Sequence, residues 1–214
     1  MSQLISFFGD PSIKEKYLKQ LKLHYKNDEI IQGQYWGDGK GCAVGCLIHS
    51  SYHAYFEKMF GLPEWLAYIV DRIFESLKDK KAKRFAVLWF DAVPVGVNLE
   101  IMKHKFFIFL LQKICKNTKQ RDVKKSIQKI ISLHVKCVKL GDCSVSDSDW
   151  SVAELAARSA ARSASWSGGS AELAVRSAAW SAVRSAESAA ESAARSAALT
   201  TISEKLIELL RESK

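Results

Sequence analysis

The sequence predicts an all-α protein: a compact helical domain over residues 1–143, followed by an Ala/Ser-rich helical arm over 144–214. Three observations carry that prediction. Every long segment before residue 140 spaces its apolar residues at a helical period. No Asn-Gly hairpin signal interrupts them. The tail also repeats itself at helical intervals: AELAARSAARSA at 153–164 returns as AELAVRSAAWSA at 171–182, and SAAWSAVRSAE at 177–187 returns as SAAESAARSAA at 188–198. These shifts of eighteen and eleven residues are close to five and three whole helical turns, so each restores the same helix face.

Asp10-Pro11 reads as a helix start, with Asp capping and Pro in the first helical position. Ile13, Tyr17, Leu18, Leu21 and Tyr25 follow as an amphipathic stripe to about Lys26. Residues 27–41 hold four glycines and read as a flexible connection anchored by Tyr35 and Trp36. Cys42 to Phe60 is expected to form one helix stopped by Gly61. Pro63 opens the next, whose buried stripe is Trp65, Leu66, Ile69, Val70, Ile73 and Phe74. KDKKAKR reads as a charged turn, and Phe85–Val93 fits strand or helix equally. Leu99–Cys115 and Val123–Lys139 are two further helices joined by a polar link. In the tail, Asp147 or Ser148 is the expected cap, and Gly168-Gly169 is expected to turn the chain between two antiparallel helices, with a kinked single helix as the alternative. The apolar end of the second (Ile202, Leu206, Ile207, Leu209, Leu210) needs cover from the N-terminal domain or from another copy.

Composition narrows the classes. All Phe, Tyr and Met residues lie before the tail, so the core must too. No secretory leader or membrane-length apolar run is visible, the longest being Phe106–Leu111; together with five cysteines this predicts a cytoplasmic protein with reduced thiols and no membrane partner. Of the net charge of +9, most is local: residues 101–140 carry eleven Lys/Arg against the single acid Asp122. Lys113, Lys116, Lys119, Arg121, Lys124 and Lys125 are therefore the candidate nucleic-acid contacts, although no aromatic residues interleave with them.

One stretch holds candidate chemistry, GDGKGCAVGCLIHSSYHAYFEK. On a continuous helix Cys42, Cys46, His49, His53 and Glu57 share a face, and pairs of them are candidate zinc or iron ligands, with help from His104, His134, Cys137 or Cys143. Alternatively, Cys42 in the first turn after GDGKG is a thiol of lowered pKa, helped by Lys40, with Cys46 as the other candidate nucleophile and His49 or His53 as base. Gly39, Lys40 and Gly41 in the same position form a candidate anion site. The plain alternative is that both cysteines are small core residues.

The runs FFGDPSIKEKYL, DEIIQGQYWGDGKGCAVGCLIH and PEWLAYIVDRIFESL resemble a family of uncharacterised bacterial and prophage-encoded proteins with a GKGCAVGC-type motif and a variable Ala-rich C-terminal tract. That resemblance implies no activity, cofactor or partner. The tail's tryptophans and arginines (Trp166, Arg176, Trp180, Arg184) are candidate partner contacts at cation–π spacing. The reading that best accommodates a long repeat without chemistry is a helical protein-interaction or self-assembly module lacking catalytic activity. A small thiol-dependent or metal-binding enzyme and a nucleic-acid binder are the alternatives.

Overall fold

A computed structural model describes residues 4–52, 55–118, 121–141, 145–146, 148–153 and 192–214. The described chain is mostly helical. In order it comprises α1 (Pro11–Lys26), β1 (Trp36–Gly37), β2 (Lys40–Gly41), α2 (Gly45–Ile48), α3 (Tyr55–Phe60), α4 (Glu64–Ser76), α5 (Asp79–Ala92), α6 (Glu100–Asn117), α7 (Arg121–Leu140) and α8 (Ser192–Glu212). It forms two compact units: Met1–Leu99 with Ser196–Lys214, and Glu100–Arg195. Neither unit boundary falls at residue 143. The expected turn at Gly168-Gly169, most of the repeat, and Trp166, Arg176, Trp180 and Arg184 lie outside the described residues, as do His53, Lys119, Cys143 and Asp147.

In the first unit, α1 and α4 pack on α5. The Asp10 side chain accepts from Ser12 N at 2.8 Å and Pro11 occupies the first helical position, as the sequence predicts. All six apolar residues expected on α4 are buried. Aromatic rings dominate this core. Trp89 and Phe90 of α5 are fully buried, and Phe7 and Phe60 meet Phe90 edge to face at 5.3 and 5.6 Å. Phe85–Val93 resolves to helix, and the charged KDKKAKR run is the first half of α5 instead of a turn. Its lysines face water while Ala82 and Phe85 enter the core, so the helical period continues through the charges.

Three further expectations are corrected. Residues 42–60 are two short helices, because His49 takes a left-handed backbone (φ 48°, ψ 40°) that ends α2 after Ile48. Gly61, at φ +59°, does end α3 as expected. Residues 36–41 form a hairpin, with Trp36 paired to Gly41 and Gly37 to Lys40. Asp38-Gly39 is its two-residue turn, both at positive φ, the geometry that Asp-Gly favours. Tyr25 is exposed, and His24 occupies the buried side of α1 instead.

The apolar end of α8 belongs to the first unit. Leu206 and Leu210 are fully buried, Ile207 and Leu209 nearly so, and Lys81 Nζ donates to Thr200 Oγ1 at 3.0 Å. Its cover is therefore its own N-terminal unit, without need of another copy.

In the second unit, α6 and α7 form an antiparallel pair. His104 and His134, fifteen residues either side of position 119, meet Nδ1 to Nδ1 at 2.7 Å, and both are buried. Trp150 stacks against His104 and tilts against His134. Among the described residues, no helix is long and apolar enough to cross a membrane.

Candidate functional site

The GKGCAVGC stretch is a packing device. A Cβ on Gly41 or Gly45 would overlap the carbonyl oxygen of Tyr35, so only glycine lets this backbone press against residue 35. The groups around it are hydrogen-bonded internally: Gly41 N to Glu29 O (3.1 Å), Cys42 N to Tyr35 O (3.0 Å), Gly45 N to Cys42 Sγ (3.3 Å) and Cys46 N to Cys42 O (3.0 Å). Cys46 Sγ donates to Gly41 O at 3.3 Å.

These contacts correct the thiol and anion readings. Cys42 and Cys46 are 1% and 0% exposed. Burial pushes the Cys42 thiol well above its ordinary value, and Asp71 beside it pushes the same way. Burial also pushes Cys46 up to about 12. The expected lowering at Cys42 is therefore reversed, because α2 is one turn long and Cys42 precedes it. The N–H groups of Gly41 and Cys42, which would help cradle an anion, are already bonded to Glu29 O and Tyr35 O. Gly39 and Lys40 sit at the exposed hairpin tip.

Among the described residues the expected metal face is broken as well. Cys42 lies before α2, His49 ends it, and Glu57 sits on α3, where its Oε1 accepts from Glu64 N at 3.0 Å and so supports the start of α4. Among the described residues no group of three or more His, Cys, Asp or Glu is placed to hold an ion.

What the fold does assemble is a chain of polar side chains that the sequence reading missed. At the end of α1, Asp28 adopts φ +60°, Asp28 N donates to Tyr25 O and Glu29 N to His24 O. This is a Schellman closure with Asp in the left-handed position, and it folds Glu29 back beside His24. Glu29 Oε2 lies 2.7 Å from His24 Nδ1, with Asn27 Nδ2 donating to Oε1 at 3.2 Å. The backbone of residues 29–31 also pairs with Gly41, which brings the end of α1 to the glycine motif. His24 Nε2 then meets His49 Nε2 at 2.8 Å.

The ring centroids of this histidine pair are 5.1 Å apart, the nitrogen–nitrogen distance extended by one ring radius at each end. The two nitrogen axes are thus nearly collinear, the arrangement of a single shared N–H···N proton. Two ligands of one metal would instead aim at a point off that line. Trp36 stacks on His49, and Gln20 Nε2 approaches His49 Nε2 at 3.1 Å while donating to Cys46 O and Leu47 O. His49 is held below the ordinary imidazole range, first by burial and then by His24. A polar His24 among the apolar positions of α1 was the available signal.

Two surfaces complete the survey. Lys116, Arg121, Lys124 and Lys125 are exposed, whereas Lys113 is half-buried with its ammonium 5.3 Å from the Phe109 ring centre. In the first unit, Phe7 and Phe8 are both left-handed (φ 53° and 54°), which buries Phe7 completely and leaves Phe8 55% exposed. Tyr52 (64% exposed) and Tyr55 (46%) form an edge-to-face pair, and α3 packs against the Ser6–Gly9 turn.

No family model, curated protein or solved structure matches this chain.

Proposed function

We propose that the protein works as a helical protein-interaction module that self-associates through the exposed aromatic surface around Phe8. The observation that supports this reading is the backbone at Phe7-Phe8. Two adjacent bulky residues in the left-handed region cost about 1–3 kcal/mol each. The turn is held by Ser6 N to Val97 O (2.9 Å), Gly96 N to Ser6 O (3.0 Å) and Ser6 Oγ to Pro94 O (2.6 Å). A large apolar side chain kept in water by a strained, braced turn suits an anchor that fills a pocket on a partner.

A second copy is the occupant this surface fits best. Its exposed members are aromatic, and homodimer interfaces have the most apolar cores of any class. The composition of the Ala/Ser-rich segment, with Trp166, Arg176, Trp180 and Arg184 in its sequence, suits the same task. Buried α8 takes no part, and the burial of Cys42 and Cys46 favours a role for them in the core over one as working groups.

Sedimentation velocity over a hundredfold concentration range tests the proposal. The wild type should shift from monomer to dimer, and Phe8→Ser should remain monomeric with an unchanged helical circular dichroism spectrum. A wild-type monomer at every concentration, or an equally dimeric Phe8→Ser, overturns it.

A nucleic-acid role for the basic α6–α7 surface is a weaker reading, because its exposed cations are not accompanied by exposed aromatic rings for base stacking.

A further inference from the structure

We infer that one face of α7 is a docking surface for the phosphates of a nucleic-acid duplex, bound without regard to base sequence. It belongs to the second unit and involves none of the residues proposed for self-association.

Arg121, Lys125, Lys129, Lys136 and Lys139 are all exposed, and at about 100° per residue they fall within roughly 80° of one another around α7. Lys124, also exposed, flanks that row. From Arg121 to Lys139 the row runs ~27 Å along the helix, at about 1.5 Å per residue. The opposite face, carrying Ile127, Ile130, His134 and Cys137, is buried where α7 packs on α6. That segregation keeps the cations outward along the whole helix. Asp122 is the one acid of α7 and sits to the side of the row, while Asp149 offsets Lys136 in part. The other five cations have no ion-pair partner among the described residues. The structure thus revises the expected set of basic contacts. Lys129, Lys136 and Lys139 join it, and half-buried Lys113 on α6 leaves.

A row of cations without counter-charges fits a polyanion, and the rest of the unit decides which one. Single strands bind on exposed rings that stack with their bases. Phe106 and Phe107 are buried here and Trp150 stacks against His104, so such a platform is missing among the described residues. A duplex needs none, because its bases stack within it and its charge lies outside, one per ~1.7 Å of axis. About 27 Å of duplex therefore presents roughly sixteen phosphate charges to the row. Lysine contacts to phosphate carry no base information, hence the indifference to sequence. An anionic bilayer fits less well, since the apolar face that an interfacial helix inserts is already spent on α6. A second copy would set the same positive row against this one, and like charge opposes that.

Fluorescence anisotropy of the full-length protein with fluorescein-labelled 20-base-pair DNA and RNA duplexes provides the test. A duplex should bind, with affinity falling about 500-fold between 50 and 200 mM NaCl, as expected for roughly five neutralised phosphates. The duplex that binds more tightly identifies the source of the phosphates. Lys125→Gln/Lys129→Gln should flatten the log–log salt slope by about two. Lys19→Gln/Lys22→Gln removes two exposed lysines of α1 and should leave the slope unchanged, which separates the α7 row from net charge. Three results overturn the proposal: no duplex binding at 50 mM NaCl, a Lys125/Lys129 variant with the wild-type slope, or tighter binding to twenty-nucleotide oligo(dT) or phosphatidylserine vesicles than to either duplex.

Discussion

The indole of Trp36 lies flat on the imidazole of His49, ring centroids 4.3 Å apart and planes within 10°. The same indole meets His24 edge-on at 5.6 Å, so one hairpin residue braces both histidines. Trp36→Ala should therefore lower unfolding free energy by about 2 kcal/mol in a urea titration, from lost burial and lost ring pairing. It should also loosen His49, seen as broadened imidazole resonances.

Raised thiol pKa values and near-zero exposure make a reactivity prediction. In native protein at pH 8, iodoacetamide should leave Cys42 and Cys46 unlabelled over hours, while half-buried Cys115 reacts ahead of them. Site mapping by mass spectrometry reads this directly. Labelling of either motif cysteine ahead of Cys115 would contradict the burial described above.

Strain at Phe8 predicts an unusual gain. Phe8→Gly should raise stability by about 1 kcal/mol, because glycine adopts φ 54° without steric penalty and the lost side chain is half in water. The converse holds at Gly45, where Gly45→Ala drives a methyl group into the Tyr35 carbonyl and should cost about 3 kcal/mol or more. Thermal melts of both variants decide the point.

The lowered pKa of His49 has a defined pH consequence. Its ring stays neutral in the folded protein at pH values where the unfolded chain, near 6.5, already binds a proton. The unfolded state is thus favoured progressively as pH falls through 6.5, and the effect levels off below the folded-state value. Since His49 is largely solvent-facing, the slope is small. Comparing wild type and His49→Gln in urea at pH 7.5 and 5.5 should show a shallower loss in the variant.

Leu206 is fully buried near the chain end. Leu206→Ala should cost about 2–5 kcal/mol, measured by equilibrium unfolding, although it lies more than a hundred residues beyond Leu99, where the N-terminal part of its unit ends.

Helical periodicity carried most of the fold. The Asp10-Pro11 start, the α4 stripe, α6 and α7 were all legible, because each buries one face at a regular interval. The hairpin was missed because its signal is Asp38-Gly39, a two-residue cue within a glycine-rich run. The break at His49 was missed for a different reason: a left-handed backbone at a histidine carries no local cue in the sequence. That one break also undid the shared Cys/His face. Of the expected site's described residues, His49 joins a side-chain network with His24 and Glu29. Its partners His24 and Glu29 come from a different helix end, where a Schellman closure and not sequence spacing sets their distance.

The grouping of Ser196–Lys214 with Met1–Leu99 bears on biosynthesis. A ribosome emits the first ninety-nine residues long before α8, so the nascent N-terminal half must wait with the Leu206 and Leu210 seats empty while the intervening ninety-six are made. Maturation of that half is thereby deferred until α8 emerges, and a product cut short before α8 would leave those seats uncovered.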